Sequence, residues 1–279
     1  MAKILVPFSG GINSTYALWK FLKETEHEIV AFFGENEEWL QDRHKDDDRV
    51  HTRVSSKADL IASTLKDTVR SFEYKKGVWK TKATEELVPI RVGGTNTWNV
   101  ASMRPRWHGF VDLINEIKPD GFVFGFSLEN TFTDAPLISF PLIQDTGVDL
   151  YLAGSTDLFT PIEILTEGNY NEILKTKVSV GRFQQKESLP SNISFLVSPE
   201  CSIRHNSSEL EEHGTICMKC LYEEVLDTRT DLSGAELDAL FAERGKYGKW
   251  RDNVDLKTYT YRGNPMEIAF ELLGITMPE

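Results

Sequence analysis

A short apolar segment near the start of the chain runs directly into two adjacent glycines and then into a helix-like segment. The stretch reads VPFSGGINSTYALW and covers residues 6 to 19. Ile4–Phe8 has the uninterrupted apolar character of a buried parallel strand. Ser14–Leu22 carries apolar residues at a helix-compatible spacing. The pattern predicts a strand, a tight turn and a helix in immediate succession, which is typical of α/β folds.

The same alternation continues along the chain. Glu28–Phe33 predicts a second strand, and Ser56–Leu65 predicts a second helix. The amphipathic segment Phe110–Ile117 precedes Lys118–Ser127, in which a Pro-Asp-Gly turn leads into another buried strand. Strands that alternate with helices are joined by right-handed crossovers in a parallel sheet. We therefore predict an α/β fold with a Rossmann-like, doubly wound parallel sheet.

Length and charge narrow the class of protein. A chain of 279 residues can bury a sizeable core. The sequence after about residue 190 is more polar and contains all three cysteines, so we predict a division of the chain into 1–190 and 191–279. The formal net charge of −12 argues against stable nucleic-acid binding, because proteins with that role present a basic surface. No apolar run approaches the roughly 20 residues of a membrane span. No secretory segment follows Met1, and three cysteines do not make a disulfide framework, so we expect a cytoplasmic protein.

The glycine turn predicts an anion site. A turn that leads from a strand into a helix presents unpaired backbone N–H groups at the helix N-terminus, where the helix dipole also favours negative charge. The hydroxyls of Ser9, Ser14 and Thr15 add further donors. The turn matches neither a Walker A loop nor the dinucleotide-binding fingerprint. The simpler alternative is an ordinary turn in which Ser or Asn caps the helix and no ligand binds.

The sequence of this turn resembles a known nucleotide loop. Ser9–Ser14, SGGINS, resembles the Ser-Gly-Gly-x-Asp-Ser PP-loop of the N-type ATP pyrophosphatases. Members of that superfamily cleave ATP between the α- and β-phosphates in the presence of Mg²⁺ and transfer AMP to a carbonyl oxygen. The resemblance implies that backbone near Phe33 faces the adenine of ATP. It also implies that the pyrophosphate is bound by Ser9, Gly10, Gly11, Ile12, Asn13, Ser14 and Thr15.

Asn13 departs from the family pattern, which has Asp at this position. A carboxylate can hold Mg²⁺ against the pyrophosphate, whereas an amide keeps the shape and one carbonyl oxygen but loses the negative charge. Metal affinity should therefore fall. Two alternatives stay open: another carboxylate supplies the charge, or the protein binds nucleotide and turns it over poorly.

The cysteines predict a metal site in the second half of the chain. Cys217 and Cys220 form a C-x-x-C pair, and Cys201 lies within 20 residues of them. Structural zinc takes four ligands, mostly Cys and His. His213 is our first choice for the fourth ligand and His205 the second. The alternatives are unliganded thiols in the core and a redox pair. A redox pair opens a helix after a thioredoxin-like strand, and we expect no such strand here.

An N-terminal PP-loop followed by a cysteine–zinc module resembles 7-cyano-7-deazaguanine synthase. The resemblance implies an ATP-dependent, AMP-forming C–N ligase of the kind used in queuosine biosynthesis, with ATP, Mg²⁺ and Zn²⁺ as cofactors. Its substrates would be 7-carboxy-7-deazaguanine and ammonia. Arg106, or Arg104 beside it, would bind phosphate or the substrate carboxylate. Glu129, or Asp134 in the same segment, would hold Mg²⁺ or read the base.

Other readings of these segments remain open. The Arg-Pro-Arg-Trp stretch is also compatible with a surface turn, and the acidic segment with a solvated loop. A second kind of PP-loop enzyme, such as a tRNA thiolase, and a nucleotide-binding protein without catalysis are the two functional alternatives. A homodimer would be compatible with any of these functions, but no residue pattern sets the oligomeric state.

Overall fold

A computed structural model of the chain describes residues 1–36, 48–79, 109–128, 143–163, 169–197, 215–245, 253–255 and 265–275. Five strands form the central sheet, and two short strands form a separate ribbon. The central strands are β1 Lys3–Pro7, β2 Glu28–Asn36, β3 Glu73–Trp79, β4 Gly121–Phe124 and β5 Asp149–Leu152. The ribbon strands are β6 Thr215–Cys217 and β7 Asn253–Asp255, which pair antiparallel.

The described helices account for most of the remaining regular structure. They are α1 Ile12–Glu24, α2 Asp48–Thr68, α3 (residues 109–117), α4 Tyr170–Lys177, α5 Arg182–Ser188, α6 Ser191–Ser194, α7 Met218–Thr228, α8 Gly234–Gly245 and α9 Pro265–Leu273. Within these ranges, no helix combines the length and the apolar character needed to cross a bilayer.

The central sheet confirms the predicted α/β architecture. All of its strand pairs are parallel, and the strand order is β3-β2-β1-β4-β5. The chain therefore winds outward from β1 to β3 on one side and then returns to place β4 on the other side of β1. This reversal is the property that defines a doubly wound sheet.

Alternate residues of the strands supply two apolar cores, as expected when both faces of a sheet are covered. Ile4, Val6 and Phe8 face α1 and α2, where they join a core that includes Leu18, Phe21 and Ile61. Residues of the opposite parity pack against α3 and α4 and form the second core; they include Leu5, Val30, Phe122, Ile114 and Leu174. The helices predicted at Ser56–Leu65 and Phe110–Ile117 are therefore confirmed as cover for the two faces.

The C-terminal helices have a core of their own. Phe183 from α5 packs with Val225 of α7, Phe241 of α8 and Phe270 of α9. Helix α5 also lies against α1, so it joins this helical unit to the sheet. Ile193 and Val197, just beyond α5, pack in the first sheet core. The division into 1–190 and 191–279 stays a prediction.

Two edge strands differ from the sequence-based expectation. The pattern did not predict β3, because EYKKGVW lacks a continuous apolar run, nor the four-residue β5. After β5, residues 158–163 form turns and irregular chain, and the Ile162 N–H donates to the Leu150 carbonyl at 2.8 Å. This hydrogen bond places the segment beside β5.

Candidate functional site

The glycine turn lies where the winding direction of the sheet reverses. β1 pairs with β2 on one side and with β4 on the other, so the carboxyl ends of β1 and β4 lie side by side. Ligands of open α/β sheets bind in the crevice outside such carboxyl ends. Two segments leave the sheet at this crevice: residues 9–14, which we call the glycine loop, and residues 125–128, which we call the β4 loop.

The glycine loop has a backbone that only glycine can adopt without strain at one position. Gly10 has a φ of 74°, in the left-handed region that L-residues with side chains rarely occupy. A Cβ at Gly10 would also lie 3.3 Å from the Cα of Ala58 in α2. Conformation and packing therefore both require glycine, independently of any ligand.

The start of α1 presents a row of unpaired donors. Gly11 is the N-cap residue, so the helix has no side-chain cap, and its first turn has no acidic residue. Within the described part of the chain, the backbone N–H groups of Gly10, Ile12, Asn13 and Ser14 donate to no protein acceptor. Together with the helix dipole, these donors make a site that favours an anion.

Two serines hold the loop in shape. The backbone N–H of Ser9 donates to Ser14 Oγ at 3.3 Å, and the two hydroxyls lie 3.2 Å apart. The Gly11 N–H donates to Ser9 Oγ at 3.3 Å, and Ser14 Oγ donates to the Gly11 carbonyl at 3.2 Å. The loop is therefore ordered by its own side chains before any ligand binds, which lowers the entropic cost of binding.

Asn13 points from the glycine loop into the crevice. Its Nδ2 donates to the Gly125 carbonyl at 2.9 Å and to Ser127 Oγ at 3.1 Å. Its Oδ1 is buried and has no hydrogen-bond partner among the described residues. The sequence identified Asn13 but not these two partners. The small residues Gly125 and Ser127 directly after a buried strand were a signal that another segment of the chain could approach this loop closely.

Thr15 and Tyr16 face inward from α1. Thr15 is fully buried, and its Oγ1 has no hydrogen-bond partner in the part of the chain that the structure describes. Burial raises the pKa of the Tyr16 hydroxyl, so it stays protonated at neutral pH. The assignment of Thr15 to the pyrophosphate site stays a prediction.

β2 extends beyond β1 beside the glycine loop. Pro7, the last residue of β1, lies opposite Phe32, whereas β2 continues through Phe33 to Asn36 in register with β3. In the described part of the chain, the β1-facing backbone edge of Phe33–Asn36 therefore has no strand partner. The Phe33 ring itself is buried, with Lys76 Nζ 5.7 Å from its centroid. A ligand at this place would meet backbone rather than the aromatic ring.

Several predicted site residues lie outside the described residues. They are Arg104, Arg106, Glu129, Asp134, Cys201, His205 and His213. Among the residues searched, all within the described ranges, no group of three or more His, Cys, Asp or Glu could hold a metal ion. The predicted zinc ligands therefore stay a prediction.

The C-x-x-C pair lies at a junction between a strand and a helix. Cys217 is the last residue of β6, and Cys220 lies in the first turn of α7. A strand therefore does precede this helix, whereas the prediction concerned a thioredoxin-like strand in particular. The strand belongs to a two-stranded antiparallel ribbon rather than to the central sheet, so the context still differs from the thioredoxin arrangement.

Comparison with known proteins adds little to this geometry. No protein-family model and no curated protein sequence matches the chain. The structure of the U34-tRNA thiolase NcsA from Methanococcus maripaludis, determined with its 4Fe-4S cluster, is similar over 89% of this chain and 73% of the thiolase chain. The TM-score is 0.32 and the sequence identity is 14%, values too low to inform the function of this chain.

Proposed function

We propose that this chain binds ATP with its phosphates on the glycine loop and uses it as an AMP-forming ligase of the N-type ATP pyrophosphatase kind. One observation carries the proposal: at a glycine-dependent turn where the sheet reverses direction, four backbone N–H groups have no acceptor among the described residues. Such donors suit a polyphosphate, whose charge also interacts favourably with the α1 dipole. The loop sequence adds its resemblance to the PP-loop.

The uncovered edge of β2 fits the base of the same nucleotide. Phe33–Asn36 runs past the end of β1, next to the glycine loop. Backbone N–H and C=O groups without a strand partner must find another partner or water. A purine carries both donors and acceptors on its edge, so it can satisfy them while its phosphates lie on the glycine loop.

Mg²⁺ fits this site only if carboxylates outside the glycine loop take part. The loop and the first turn of α1 contain no acidic residue, and Asn13 Oδ1 is closed off from solvent. The charge that a cation supplies would offset the negative charge of the leaving pyrophosphate. Glu129 directly follows the β4 loop in the sequence and is therefore our candidate for such a carboxylate.

The substrate that we propose is 7-carboxy-7-deazaguanine, with ammonia as the nucleophile. A carboxylate oxygen attacks the α-phosphorus of ATP, and pyrophosphate leaves. Ammonia then adds to the carbonyl carbon, and AMP leaves, which gives the amide. A second adenylation, on the amide oxygen, allows that oxygen to leave with AMP and gives the nitrile. Arg106 would orient the substrate carboxylate by donating two parallel hydrogen bonds to it.

The test measures AMP and base together. Purified protein is incubated with ATP and Mg²⁺, with 7-carboxy-7-deazaguanine and ammonia present or omitted one at a time. We expect AMP only in the complete mixture, together with a change in the mass of the base from the acid to the amide or nitrile. AMP formation that does not depend on the base would contradict the substrate. Undetectable ATP binding by calorimetry would contradict the nucleotide site itself.

A second candidate is a nucleotide-binding protein without catalysis. The observation in its favour is Asn13, whose amide is bound to the β4 loop at the position where the resembling family has a carboxylate. Tight ATP binding, with no AMP from any tested substrate, would support this candidate over the ligase.

The proposed zinc site has an independent test. We propose Cys201, Cys217, Cys220 and His213 as ligands that hold Zn²⁺ in a structural role, as closed four-ligand sites do. Elemental analysis of protein purified without chelator should give one zinc per chain. Replacing Cys217 by Ser should remove it, whereas replacing His205 by Ala should not. A chain without zinc, in protein that is otherwise folded, would overturn the site.

A further inference from the structure

The glycine loop and the β4 loop are joined by one side chain. Asn13 Nδ2 donates to the Gly125 carbonyl and to Ser127 Oγ, two groups more than 100 residues away in sequence. The backbones are also close, because a Cβ built on Gly125 would lie 3.4 Å from the Asn13 Cβ. Hydrogen bonds and packing therefore both fix the distance between the two loops.

The β4 loop is supported on its far side as well. The Gly154 N–H donates to the Phe126 carbonyl at 2.6 Å, and the Leu128 N–H donates to the Val180 carbonyl at 3.1 Å. A Cβ at Gly154 would approach the Ser127 Cα to 2.7 Å, so backbone meets backbone with no room between. The β4 loop cannot move away from the glycine loop without disturbing these contacts.

The chemistry of the link requires an amide. A backbone carbonyl can only accept a hydrogen bond, so the NH₂ group of Asn13 must be the part that faces Gly125. A carboxylate in the same place would set one negatively charged oxygen against the Gly125 carbonyl oxygen. The Ser127 hydroxyl can donate to a carboxylate, but the Gly125 carbonyl cannot. Because Asn13 Oδ1 is buried, solvent would screen that repulsion only weakly.

We infer that Asn13 is a positioning residue that fastens the glycine loop to the β4 loop, and that this chain needs an amide where the resembling family has a carboxylate. The effect on ligand binding rests on the proposed function, whereas the link itself does not. Asn13 acts through the loops: it holds the donors of the glycine loop at a set distance from the segment that leads to Glu129.

The experiment is a double-mutant cycle read out by ATP affinity and by stability. The proteins are wild type, Asn13→Ala, Ser127→Ala, the double variant and Asn13→Asp. Asn192→Asp is the matched control, because it makes the same change at an exposed position of α6. Calorimetry measures the ATP dissociation constant, in Mg²⁺ and separately in EDTA, and urea titration measures the unfolding transition. The folded fraction of each variant comes from the binding stoichiometry.

The expected outcome separates a positioning role from a metal-ligand role. Asn13→Asp should weaken ATP binding by about tenfold or more in Mg²⁺ and in EDTA alike, whereas Asn192→Asp should leave it unchanged. Ser127→Ala should cost less in the Asn13→Ala background than in wild type, because the bond it removes is already lost. The same non-additivity should appear in the urea midpoints.

Two results would overturn the inference. One is an Asn13→Asp variant that binds ATP as tightly as wild type or gains affinity specifically with Mg²⁺, which is the behaviour of a restored metal ligand. The other is strict additivity of Asn13→Ala and Ser127→Ala in the urea series. If wild type binds no ATP, the proposed function fails, and the urea cycle alone still decides whether Asn13 links the loops.

Discussion

The N-terminus of α1 differs from the N-termini of α5 and α8 in how its backbone N–H groups are satisfied. Helices α5 and α8 cap each other: Asp238 of α8 accepts the N–H groups of Phe183 and Gln184, and Glu187 of α5 accepts the Gly234 N–H. At α1, by contrast, no side chain caps the helix, and its first donors have no protein acceptor in the described chain.

This comparison identifies the start of α1, rather than those of α5 and α8, as the place where backbone donors could bind a ligand. Helix ends whose N–H groups stay unpaired lose stability, so most are capped. In the C-terminal helical unit, carboxylates satisfy the donors at the expense of any anion site. At the glycine loop, no acceptor in the described part of the chain takes up the donors, which is why we propose that a phosphate binds there. Substitutions at each helix start therefore test whether the two serve different purposes.

Replacing Asp238 by Ala should destabilise the protein most. Asp238 is only 3% exposed, and its loss would leave two N–H groups at the start of α5 without their charged acceptor. We expect a loss of about 2 to 3 kcal/mol in the free energy of unfolding. Urea titration measures it, with Asp227→Ala at an exposed position of α7 as the control. Equal effects of the two variants would show that the cap contributes nothing.

Replacing Gly11 by Asp should give α1 a capped start like those of α5 and α8. Gly11 has an extended backbone, with a φ of −79°, which an L-residue can adopt, and Asp is a favoured N-cap residue. The carboxylate should take up the donors of α1, keep or slightly raise stability, and weaken ATP binding by about tenfold or more. Ala235→Asp places the same charge at the start of α8 and should leave affinity unchanged. Unaltered ATP affinity in Gly11→Asp would place the phosphates elsewhere.

Removing the local cap of α8 should have a smaller effect. Ser233 and Glu236 form a reciprocal capping box: the Ser233 N–H donates to Glu236 Oε2 at 2.8 Å, and the Glu236 N–H donates to Ser233 Oγ at 3.3 Å. Ser233→Ala should lower the free energy of unfolding by about 1 kcal/mol without changing ATP affinity. A parallel loss of ATP affinity would mean that the two helix starts are not independent.

The smallest effect should be a pH dependence at the same box. The Ser233 backbone N–H, followed by the Ser233 hydroxyl, lowers the pKa of Glu236 below its usual 4.5 in the folded chain. Its contribution to stability is therefore present above pH 4.5 and is lost as the pH falls through the lowered value. Glu236→Gln should remove that part of the acid sensitivity. Urea titrations of wild type and Glu236→Gln at neutral and acidic pH measure how the free energy of unfolding depends on pH. The same pH dependence in both proteins would contradict the prediction.

Three of the five central strands and the glycine loop follow from local pattern, and this is why sequence alone predicted them. Apolar runs identified β1, β2 and β4, and the position of the glycines between a strand and a helix identified the loop. The edge strand β3 was missed because its lysines break the apolar pattern. The glutamate three residues after Ser233 is likewise a local signal that sequence can show.

The contacts that define the site are long-range, and no local pattern encodes them. Asn13 meets Gly125 and Ser127, and Asp238 caps a helix that begins more than 50 residues earlier. Each depends on which strands or helices become neighbours. Sequence therefore identified Asn13 as a departure from a motif but not the hydrogen bonds that give the departure a physical role.

Titration of ¹⁵N-labelled protein with ATP, followed by nuclear magnetic resonance, observes the donors of α1 one by one. We expect saturable shifts in the backbone amides of Gly10, Ile12, Asn13 and Ser14, while the amides of Ser233 and Gly234 stay unchanged. Absence of shifts in the glycine loop at saturating ATP, or equal shifts at both helix starts, would contradict the claim that the donors of α1 are kept for a phosphate.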